Sequence, residues 1–360
     1  MIILIILLLL NICVPALAAG PGTDFGRYFQ SSRGWVGADG VYSVLLDEGR
    51  ILWLFGDTFV GKIEDNHRVG TKMIHNSVAI QNRNGNRFFR PRFFWNSAPG
   101  VEPSDFVNSP DRRGWLWPLH GVCGKRGLFQ FFIQIEGTGD NSPFAFRSVG
   151  LWLARVPNPG SSPDDWKYIF RKVPWSIFGE NSSLFWGSAI LAVDDMLYVY
   201  GIREETGIPG APKKLLLARV PADSIDNFSS WKFYSNSGWV NDFRKSASLA
   251  DRMATEFSVS SHEGSLPYVL IVSDGFPSTR NILVRRAPRP EGPWSLPEAV
   301  FQASGNEKNS KIFWYAAKEH PELAQNRKQL VISYTNNSMD FFDLAKDARL
   351  YFPMFTVIPE

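Results

Sequence analysis

Cysteine is nearly absent from this chain of 360 residues, which contains only Cys13 and Cys123. Cys13 lies in an apolar leader segment described below, so Cys123 has no partner within the mature chain. A disulfide framework of the kind that stabilises small secreted domains is therefore excluded. Stability must come instead from a large hydrophobic core.

A strong charge of either sign is also lacking, because 38 Lys and Arg residues nearly balance 35 Asp and Glu residues. The net charge at pH 7 is +3, and the basic residues are scattered among acidic ones. Nucleic acid is thus not an expected partner. The segment Asp65-Asn66-His67 is too short for a metal site and lacks paired ligands at a defined spacing. We therefore predict no bound metal and no other cofactor.

Long apolar runs are confined to the first residues of the chain. Residues 1–10 read MIILIILLLL, and residues 14–19 read VPALAA, which contains a helix breaker and an Ala-x-Ala site. This pattern is typical of a secretory signal peptide, and we predict that residues 1–19 are removed. An uncleaved anchor is the alternative, because the basic segment that usually opens a signal peptide is missing. No later run reaches the roughly 18 apolar residues of a membrane span, so we expect a secreted, extracellular protein without membrane contact after cleavage.

Aromatic residues are abundant, with 28 Phe, 13 Trp and 10 Tyr. Helix-forming blocks of Ala, Leu, Glu and Lys are scarce, and turn-forming residues interrupt the sequence at short intervals. This rhythm is typical of an all-β fold. Because propellers and barrels use this length as one unit, we expect residues 20–360 to form a single domain and the protein to be a monomer.

A strand-like phrase that ends in Val-Pro or Ala-Pro and precedes a tryptophan occurs three times: LWLARVP at 151–157, LLLARVP at 215–221 and ILVRRAP at 282–288. Each copy predicts a strand, a loop and a short outer strand that begins with tryptophan. This order is that of the second hairpin of a propeller blade.

An apolar hairpin precedes each copy, and the two ends of the chain contain similar hairpins. Five units of four strands predict a five-bladed β-propeller. A β-sandwich or a β-helix would also give many short strands, but neither predicts this repeated order of two hairpins. The five predicted first hairpins are 40–46 with 51–55, 119–122 with 128–135, 186–193 with 196–200, 256–260 with 268–272, and 314–317 with 329–334.

Polar residues at the start of the first strand and the end of the second strand of each blade should converge on one mouth of the central funnel. Carboxylates and aromatic rings are mixed at these positions. This composition is typical of sugar sites, because aromatic faces stack on sugar C–H surfaces and carboxylates do acid and base work. The residues that we expect to bind a glycan are Trp35, His75, Asn76, Trp117, His120, Glu136, Trp186, Asp274 and Tyr315.

Three carboxylates are the predicted catalytic residues. Asp39 and Asp57 flank the first hairpin, so their carboxyl groups should lie near each other. Glycoside hydrolysis needs such a pair, one acid with a raised pKa and one base or nucleophile. Glu256, which opens an innermost strand across the funnel, is the third candidate. The alternative is that the aspartates only make Asx turns at strand ends.

The segments WVGADG at 35–40 and LWLFGDTF at 52–59 resemble a family known as domain of unknown function 4185. Members of that family are five-bladed propellers related to the arabinanase and fructosidase superfamily, and some bacterial members are endo-acting D-arabinanases with two central aspartates. By motif, those aspartates correspond to Asp39 and Asp57. The resemblance also covers MIHNS at 73–77, WPLH at 117–120, WGS at 186–188 and EFS at 256–258.

Two functions follow as hypotheses. The first is a secreted glycoside hydrolase that cleaves a polysaccharide, with an arabinan-like furanoside cut in endo fashion as the leading substrate. The second is a non-catalytic carbohydrate-binding propeller, in which the same aromatic residues bind a glycan and the aspartates only hydrogen-bond its hydroxyls. A structural or adhesive protein ranks last, because the sequence shows neither an exposed apolar patch nor a partner motif.

Overall fold

The computed structural model describes residues 25–140, 145–206, 212–275, 279–304, 309–326 and 328–360. The predicted signal peptide lies outside these residues. The described part consists mostly of antiparallel strands, which confirms the predicted all-β class. None of its helices is long and apolar enough to cross a bilayer. Its helices are one α-helix, α1 (Phe341–Lys346), and 3-10 turns at Phe25–Tyr28, Pro163–Asp165, Ala222–Ser224, Phe228–Ser230, Phe243–Lys245 and Pro321–Leu323.

The first eight strands form two sheets. In chain order they are β1 (Arg33–Ala38), β2 (Tyr42–Asp47), β3 (Arg50–Phe55), β4 (Thr58–Glu64), β5 (His67–Ile74), β6 (Ser77–Asn84), β7 (Arg87–Phe88) and β8 (Arg92–Phe94). Strands β2, β3, β6 and β7 pair in that order, as the prediction for the first blade requires, and β8 also pairs with β6. Strands β1, β4 and β5 form a separate sheet that the sequence prediction lacks.

The next eleven strands form a four-stranded sheet, β9 to β12, and a larger sheet, β13 to β19. Their bounds are β9 (Trp115–Gly124), β10 (Gly127–Gly137), β11 (Phe146–Val156), β12 (Ile169–Lys172), β13 (Ile177–Phe178), β14 (Ser183–Val193), β15 (Met196–Glu204), β16 (Lys213–Pro221), β17 (Lys232–Ser235), β18 (Gly238–Val240) and β19 (Ala250–Met253).

The remaining strands form a four-stranded sheet, β20 to β23, and a three-stranded sheet, β24 to β26. The last sheet is one strand short of the predicted four. Their bounds are β20 (Phe257–Ser261), β21 (Tyr268–Ser273), β22 (Asn281–Ala287), β23 (Glu298–Gln302), β24 (Ile312–Glu319), β25 (Gln329–Ser338) and β26 (Met354–Pro359).

The recurring phrase occupies the same place in each of three sheets, because it forms β11, β16 and β22, each the third strand of its sheet when the two-residue strand β13 is left out. The tryptophan that follows each phrase precedes the outer strand and does not begin it. Trp231, for example, lies immediately before β17. The repeat therefore has its predicted place in the fold, but each outer strand starts later in the sequence than the prediction has it.

In five sheets, the first strand of more than two residues contacts its counterpart in the next sheet, β2 with β9, β9 with β14, β14 with β20 and β20 with β24. Two contacts join the last of these strands to the first. Lys318 of β24 lies over the Tyr42 ring of β2 at 4.4 Å from its centroid. The Ser43 hydroxyl of β2 hydrogen-bonds the ring of His320, which follows β24, at 2.6 Å. The five first strands thus form a closed ring.

The core is large, as the shortage of cysteine requires. Four tryptophans, Trp35, Trp53, Trp186 and Trp231, are almost completely buried between or within the sheets. Large aromatic side chains bury the most apolar area per residue and dominate core energetics. Packing of such rings therefore replaces disulfides in this fold, and Cys123 remains a half-buried free thiol.

Candidate active site

Asp39 follows β1, Asp57 lies between β3 and β4, and the backbone joins the two residues directly. The N–H of Asp39 donates to the carbonyl of Asp57 at 3.2 Å, and the N–H of Gly56 donates to the carbonyl of Asp39 at 3.0 Å. Pairing of Ala38 with Thr58, between β1 and β4, extends this contact. The predicted proximity of the two aspartates is therefore present, and the unpredicted sheet of β1, β4 and β5 reinforces it.

The Asp39 carboxyl group is half-buried and accepts two tyrosine hydroxyls at the same oxygen. Tyr315 donates to Oδ2 at 2.5 Å and Tyr351 donates to Oδ2 at 2.9 Å. Burial, followed by the negative charges of Asp57 and Glu256, raises the pKa of Asp39 to about 8, although the two hydroxyls act in the opposite direction. Asp39 therefore holds a proton at neutral pH, which is the state that a general acid needs.

The backbone around Asp39 is strained. Val41, Ala316 and Tyr351 have φ angles of 34°, 61° and 66°, in the left-handed region that non-glycine residues seldom occupy. A β-branched residue such as Val41 is especially unfavourable there. Strain of this kind costs on the order of 1–3 kcal/mol per residue and clusters at functional sites. Its concentration around one carboxyl group supports a site at this position.

The Asp57 carboxylate is held by two N–H donors from neighbouring elements. Trp117 of β9 donates its indole Nε1–H to Oδ1 at 2.7 Å, and His75 Nδ1 lies 3.1 Å from the same oxygen. Burial lowers the pKa of His75, but the hydrogen bond and the charge of Asp57, together with the charge of Asp105, outweigh burial and raise it. The His75 ring also stacks on Trp115, with centroids 4.4 Å apart.

Each aspartate thus has one oxygen engaged by the protein and one without a hydrogen bond from the described residues. On Asp39 the engaged atom is Oδ2, and on Asp57 it is Oδ1. Fixing one oxygen sets the orientation of a carboxyl group and leaves the other oxygen for a reacting atom. The pair can therefore donate a proton from one group and act as a base or nucleophile with the other.

Glu256, immediately before β20, forms an ion pair with a lysine that the sequence prediction missed. Lys318 Nζ lies 2.8 Å from Glu256 Oε1 and donates to the carbonyl of Ala316 at 2.9 Å. The Lys318 side chain is only 1% exposed, and burial lowers its pKa. Its Nζ atom also lies over the Tyr42 ring, 4.4 Å from the ring centroid. The ammonium group is therefore surrounded by a carboxylate, a carbonyl and an aromatic face.

A bulge in β24 brings Lys318 into the site. Tyr315 pairs with Thr335 and Lys318 pairs with Ser333, so two residues of β24 oppose one of β25 between these pairs. In a regular strand, residues three apart face opposite sides of the sheet, whereas one extra residue places them on the same side. The bulge, with Ala316 at φ 61°, therefore directs both Tyr315 and Lys318 toward the carboxylates.

Gly56 allows Asp39 to approach the backbone, because a Cβ atom at position 56 would lie 2.5 Å from Asp39 Oδ1. We expect Gly56→Ala to displace the carboxyl group and to lower the free energy of unfolding by about 1–3 kcal/mol. Urea denaturation measures this loss. Gly124→Ala is the matched control, because a Cβ there would meet no atom within 4 Å. Equal stabilities of the two variants would contradict the contact.

Several residues predicted to bind a glycan have packing contacts instead. Trp35 and Trp186 are 1% and 0% exposed, so neither ring face is open to a sugar. The Trp35 indole N–H donates to Ser77, and that of Trp186 donates to the carbonyl of Trp175. A tryptophan at a strand end can point into the funnel or into the core, and here both rings lie in the core.

Asn76 and His120 satisfy backbone groups. The Asn76 side chain makes three hydrogen bonds to backbone groups of Val107 and Leu116. His120 Nδ1 accepts the N–H of Ile190, and its Nε2 lies 3.2 Å from the carbonyl of Ser43. Burial lowers the pKa of His120 to about 4, so the ring is neutral and both nitrogens are engaged. These two side chains link neighbouring strands and have no polar atom left for a ligand.

Glu136 and Asp274 form ion pairs with arginines. Arg113 lies 2.7 Å and Arg147 lies 3.7 Å from the Glu136 carboxylate. Asp274 is buried, and Arg252 lies 2.7 Å from its Oδ1. No contact in the described part of the chain joins either residue to Asp39 or Asp57.

The structure therefore brings together Asp39, Asp57, Glu256, His75, Trp117 and Tyr315 from the predicted set, and adds Tyr351, Lys318 and Trp115.

Over the described ranges, no group of three or more His, Cys, Asp and Glu side chains is arranged to hold a metal ion. Two of the three carboxylates have a basic side chain as a neighbour, with Lys318 beside Glu256 and His75 beside Asp57.

This chain is similar in structure to several proteins whose structures have been solved. A protein from Bacteroides ovatus that is provisionally described as a hydrolase is 20% identical, with a TM-score of 0.74 over 93% of this chain and 88% of that one. A thermostable family-43 glycoside hydrolase is 14% identical, with a TM-score of 0.48 over 92% of each chain. An endo-arabinase from Bacteroides thetaiotaomicron is 9% identical, with a TM-score of 0.44 over 91% of this chain and 98% of that one. Only the first similarity is strong enough to show a shared fold.

No curated protein matches the chain. The family number expected from the motifs, 4185, is not confirmed. The family model that matches is described as domain of unknown function DUF5005, and it covers residues 22–359. Since the match spans nearly the whole chain, the protein belongs to the DUF5005 family.

Proposed function

We propose that this protein is a secreted glycoside hydrolase built as a single-domain, five-bladed β-propeller, and that it cleaves an arabinan-like furanoside polysaccharide in endo fashion. The observation that carries the proposal is the pair formed by Asp39 and Asp57. Their backbones are hydrogen-bonded to each other, yet one carboxyl group is a half-buried acid with a pKa of about 8 and the other accepts two N–H donors. Two carboxyl groups in contrasting environments are what glycoside hydrolysis requires.

The closed ring of five first strands supports the propeller, because radial sheets around a central channel produce that order of contacts. The sixth sheet, β1 with β4 and β5, is then an addition to the first blade. The provisional description of the Bacteroides ovatus protein as a hydrolase agrees with this function. The arabinan substrate and the endo mode rest on the motifs around Asp39 and Asp57.

Asp39 and Asp57 have different roles in the proposed reaction. Asp39 donates its proton to the glycosidic oxygen, which leaves as a hydroxyl on the departing sugar. Asp57 acts on the opposite side of the bond, either as a base that takes a proton from water or as a nucleophile that forms a glycosyl ester. In the second case, water later hydrolyses the ester with Asp39 as the base. Glu256 completes the cluster of three carboxylates, and its ion pair with Lys318 fixes its position.

Aromatic side chains next to the pair provide a surface for the sugar. Trp117 and Trp115 are half-buried, and Phe146 packs edge-on against Trp117 with ring centroids 4.8 Å apart. Aromatic rings beside catalytic carboxylates are typical of sugar sites, because they stack on the C–H faces of the ring. The same feature favours the second candidate function, a carbohydrate-binding propeller without catalysis.

The deciding experiment is a turnover screen of the purified mature protein against furanose and pyranose polysaccharides. Asp39→Asn and Asp57→Asn are assayed beside it, with Asp195→Asn as a control in an exposed turn between β14 and β15. We expect the wild type and the control to release oligosaccharides from an arabinan, and both site variants to release them at least about 10²-fold more slowly. Binding of a glycan without cleavage, with equal affinity for all four proteins, would favour the non-catalytic function.

A further inference from the structure

Arg68 of β5 is a buried arginine with no carboxylate partner among the described residues. It is 6% exposed, and its guanidinium donates to the carbonyls of Val36, Leu344 and Leu350 at 2.9, 2.5 and 2.6 Å. Burial lowers its pKa to about 10. Its guanidinium carbon also lies 5.0 Å from the centroid of the Phe59 ring and 5.5 Å from that of the Phe352 ring. Burial of a charge without a carboxylate partner is costly, and such local costs are expected at functional sites.

Two of the three carbonyls belong to segments that meet at the Asp39 carboxyl group. Val36 lies in β1, three residues before Asp39, and Leu350 immediately precedes Tyr351. The hydroxyl of Tyr351 donates to Asp39 Oδ2 at 2.9 Å. Arg68 therefore joins the segment that carries the acid to the segment that carries one of its two hydroxyl donors.

The packing around Arg68 leaves little freedom to these segments. Gly37, at φ 130°, lies so close that a Cβ atom there would be 2.6 Å from Arg68 Nη2 and 2.6 Å from the carbonyl oxygen of Tyr351. Tyr351 itself has a left-handed backbone, with its N–H donated to Asn336 Oδ1 at 3.0 Å. Because such a conformation persists only when its surroundings fix it, the carbonyl contacts of Arg68 are part of what holds Tyr351 in place.

We propose that Arg68 is a positioning residue of the Asp39–Asp57 site, and that it acts by holding the Tyr351 hydroxyl against the Asp39 carboxyl group. The catalytic importance of that site rests on the proposed function. The contact itself is independent of any substrate, so it can be tested without one.

The hydroxyl of Tyr351 is one of the contacts that lower the pKa of Asp39, against burial and the charges of Asp57 and Glu256, which raise it. Loss of that donor must therefore raise the Asp39 pKa above its value of about 8. A change at Arg68 that releases Tyr351 should act in the same direction, although Arg68 is not a hydrogen-bond partner of Asp39.

The test is an NMR pH titration of protein with carbon-13 in its aspartate carboxyl groups, in which the Asp39 signal is assigned by its absence in Asp39→Asn. We expect Tyr351→Phe to raise the Asp39 pKa by about half a unit to one unit. Arg68→Lys keeps the charge but not the planar fork that reaches three carbonyls, so it should shift the pKa in the same direction. The double variant should titrate like Tyr351→Phe alone, because both changes act through one contact.

Arg285→Lys is the matched control. Arg285 is 4% exposed and also donates to backbone carbonyls, those of Ser295 and Asp251. Its replacement should lower the melting temperature and leave the Asp39 titration unchanged. An unshifted Asp39 signal in Arg68→Lys, or additive shifts in the double variant, would overturn the proposal.

If Arg68→Lys does not fold, Gly37→Ala replaces it, because the added Cβ displaces both Arg68 and Tyr351. It should raise the Asp39 pKa, and an unchanged titration would again overturn the proposal. These titrations need no glycan. If the titrations give the expected pKa shifts but the turnover screen detects no cleavage, the proposed glycosidase activity is refuted. The positioning role of Arg68 is then unaffected.

Discussion

Asp39→Asn should lower the rate of glycan cleavage by about 10²- to 10⁴-fold, the range that a positioned general acid contributes. The amide has nearly the shape of the neutral carboxyl group and still accepts the Tyr315 and Tyr351 hydroxyls, but it has no acidic proton to transfer. In the wild type, activity should fall as the pH rises through the Asp39 pKa of about 8. Initial rates on the polysaccharide identified in the screen, measured across pH, check both expectations.

The same substitution should change how stability depends on pH. In the folded protein the pKa of Asp39 is raised from 3.8 to about 8, so between these values the folded state binds a proton that the unfolded state has lost. The free energy of unfolding should therefore fall as pH rises from about 4 to about 8, and this component should be absent in Asp39→Asn. Denaturant unfolding at several pH values measures the difference between the two proteins. If the difference in free energy of unfolding between the two proteins stayed constant with pH, folding would not raise the pKa of Asp39.

The repeating part of the fold can be predicted from the sequence because two signals coincide there. Apolar runs of strand length mark β3, β10, β15, β21 and β25, and the recurring phrase fixes the third strand of three sheets. The sheet of β1, β4 and β5 gives neither signal. Residues of β4 and β5 are mostly exposed or half-buried, so their sequences read as a polar connection.

The aspartate pair can likewise be predicted, because Asp39 and Asp57 flank one hairpin and carry recognisable motifs. Tyr351 cannot, because it lies in an irregular segment after α1 and reaches Asp39 only through tertiary packing. For Asn76 and His120, position at a strand end does not tell whether a side chain faces a ligand or completes the hydrogen bonds of a neighbouring strand.

Lys318 shows a third reason why a sequence prediction fails. Regular alternation along β24 places Lys318 on the face opposite Tyr315, where a lysine would be expected to point to solvent. The bulge at Ala316 places Lys318 on the same face as Tyr315. The sequence of residues 314–317 contains no signal that indicates an extra residue. The ion pair with Glu256 is therefore a consequence of the register between β24 and β25, which only the structure contains.

Glu256→Met should lower the free energy of unfolding by about 3–5 kcal/mol, because it leaves the buried Lys318 ammonium without its carboxylate. Lys318→Met should cost less, since the Glu256 side chain is 22% exposed and can gain water contacts, whereas Lys318 is 1% exposed. The double variant should be more stable than the sum of the single losses predicts, because no unpaired charge remains. Urea unfolding of all four proteins completes this cycle.

The pH dependence of Glu256→Met gives an independent check. Burial already lowers the pKa of Lys318, and removal of its anionic partner lowers it further. Below the pKa of a lysine in the unfolded chain, the unfolded state then binds a proton that the folded variant lacks. The free energy of unfolding of Glu256→Met, relative to that of its reference protein, should therefore rise with pH up to about 10.4, the pKa of lysine in an unfolded chain. The comparison is made in the Asp39→Asn background, where Asp39 no longer titrates. A deficit that stays constant across this range would show that Lys318 reaches water and is not enclosed by β2, β20 and β24.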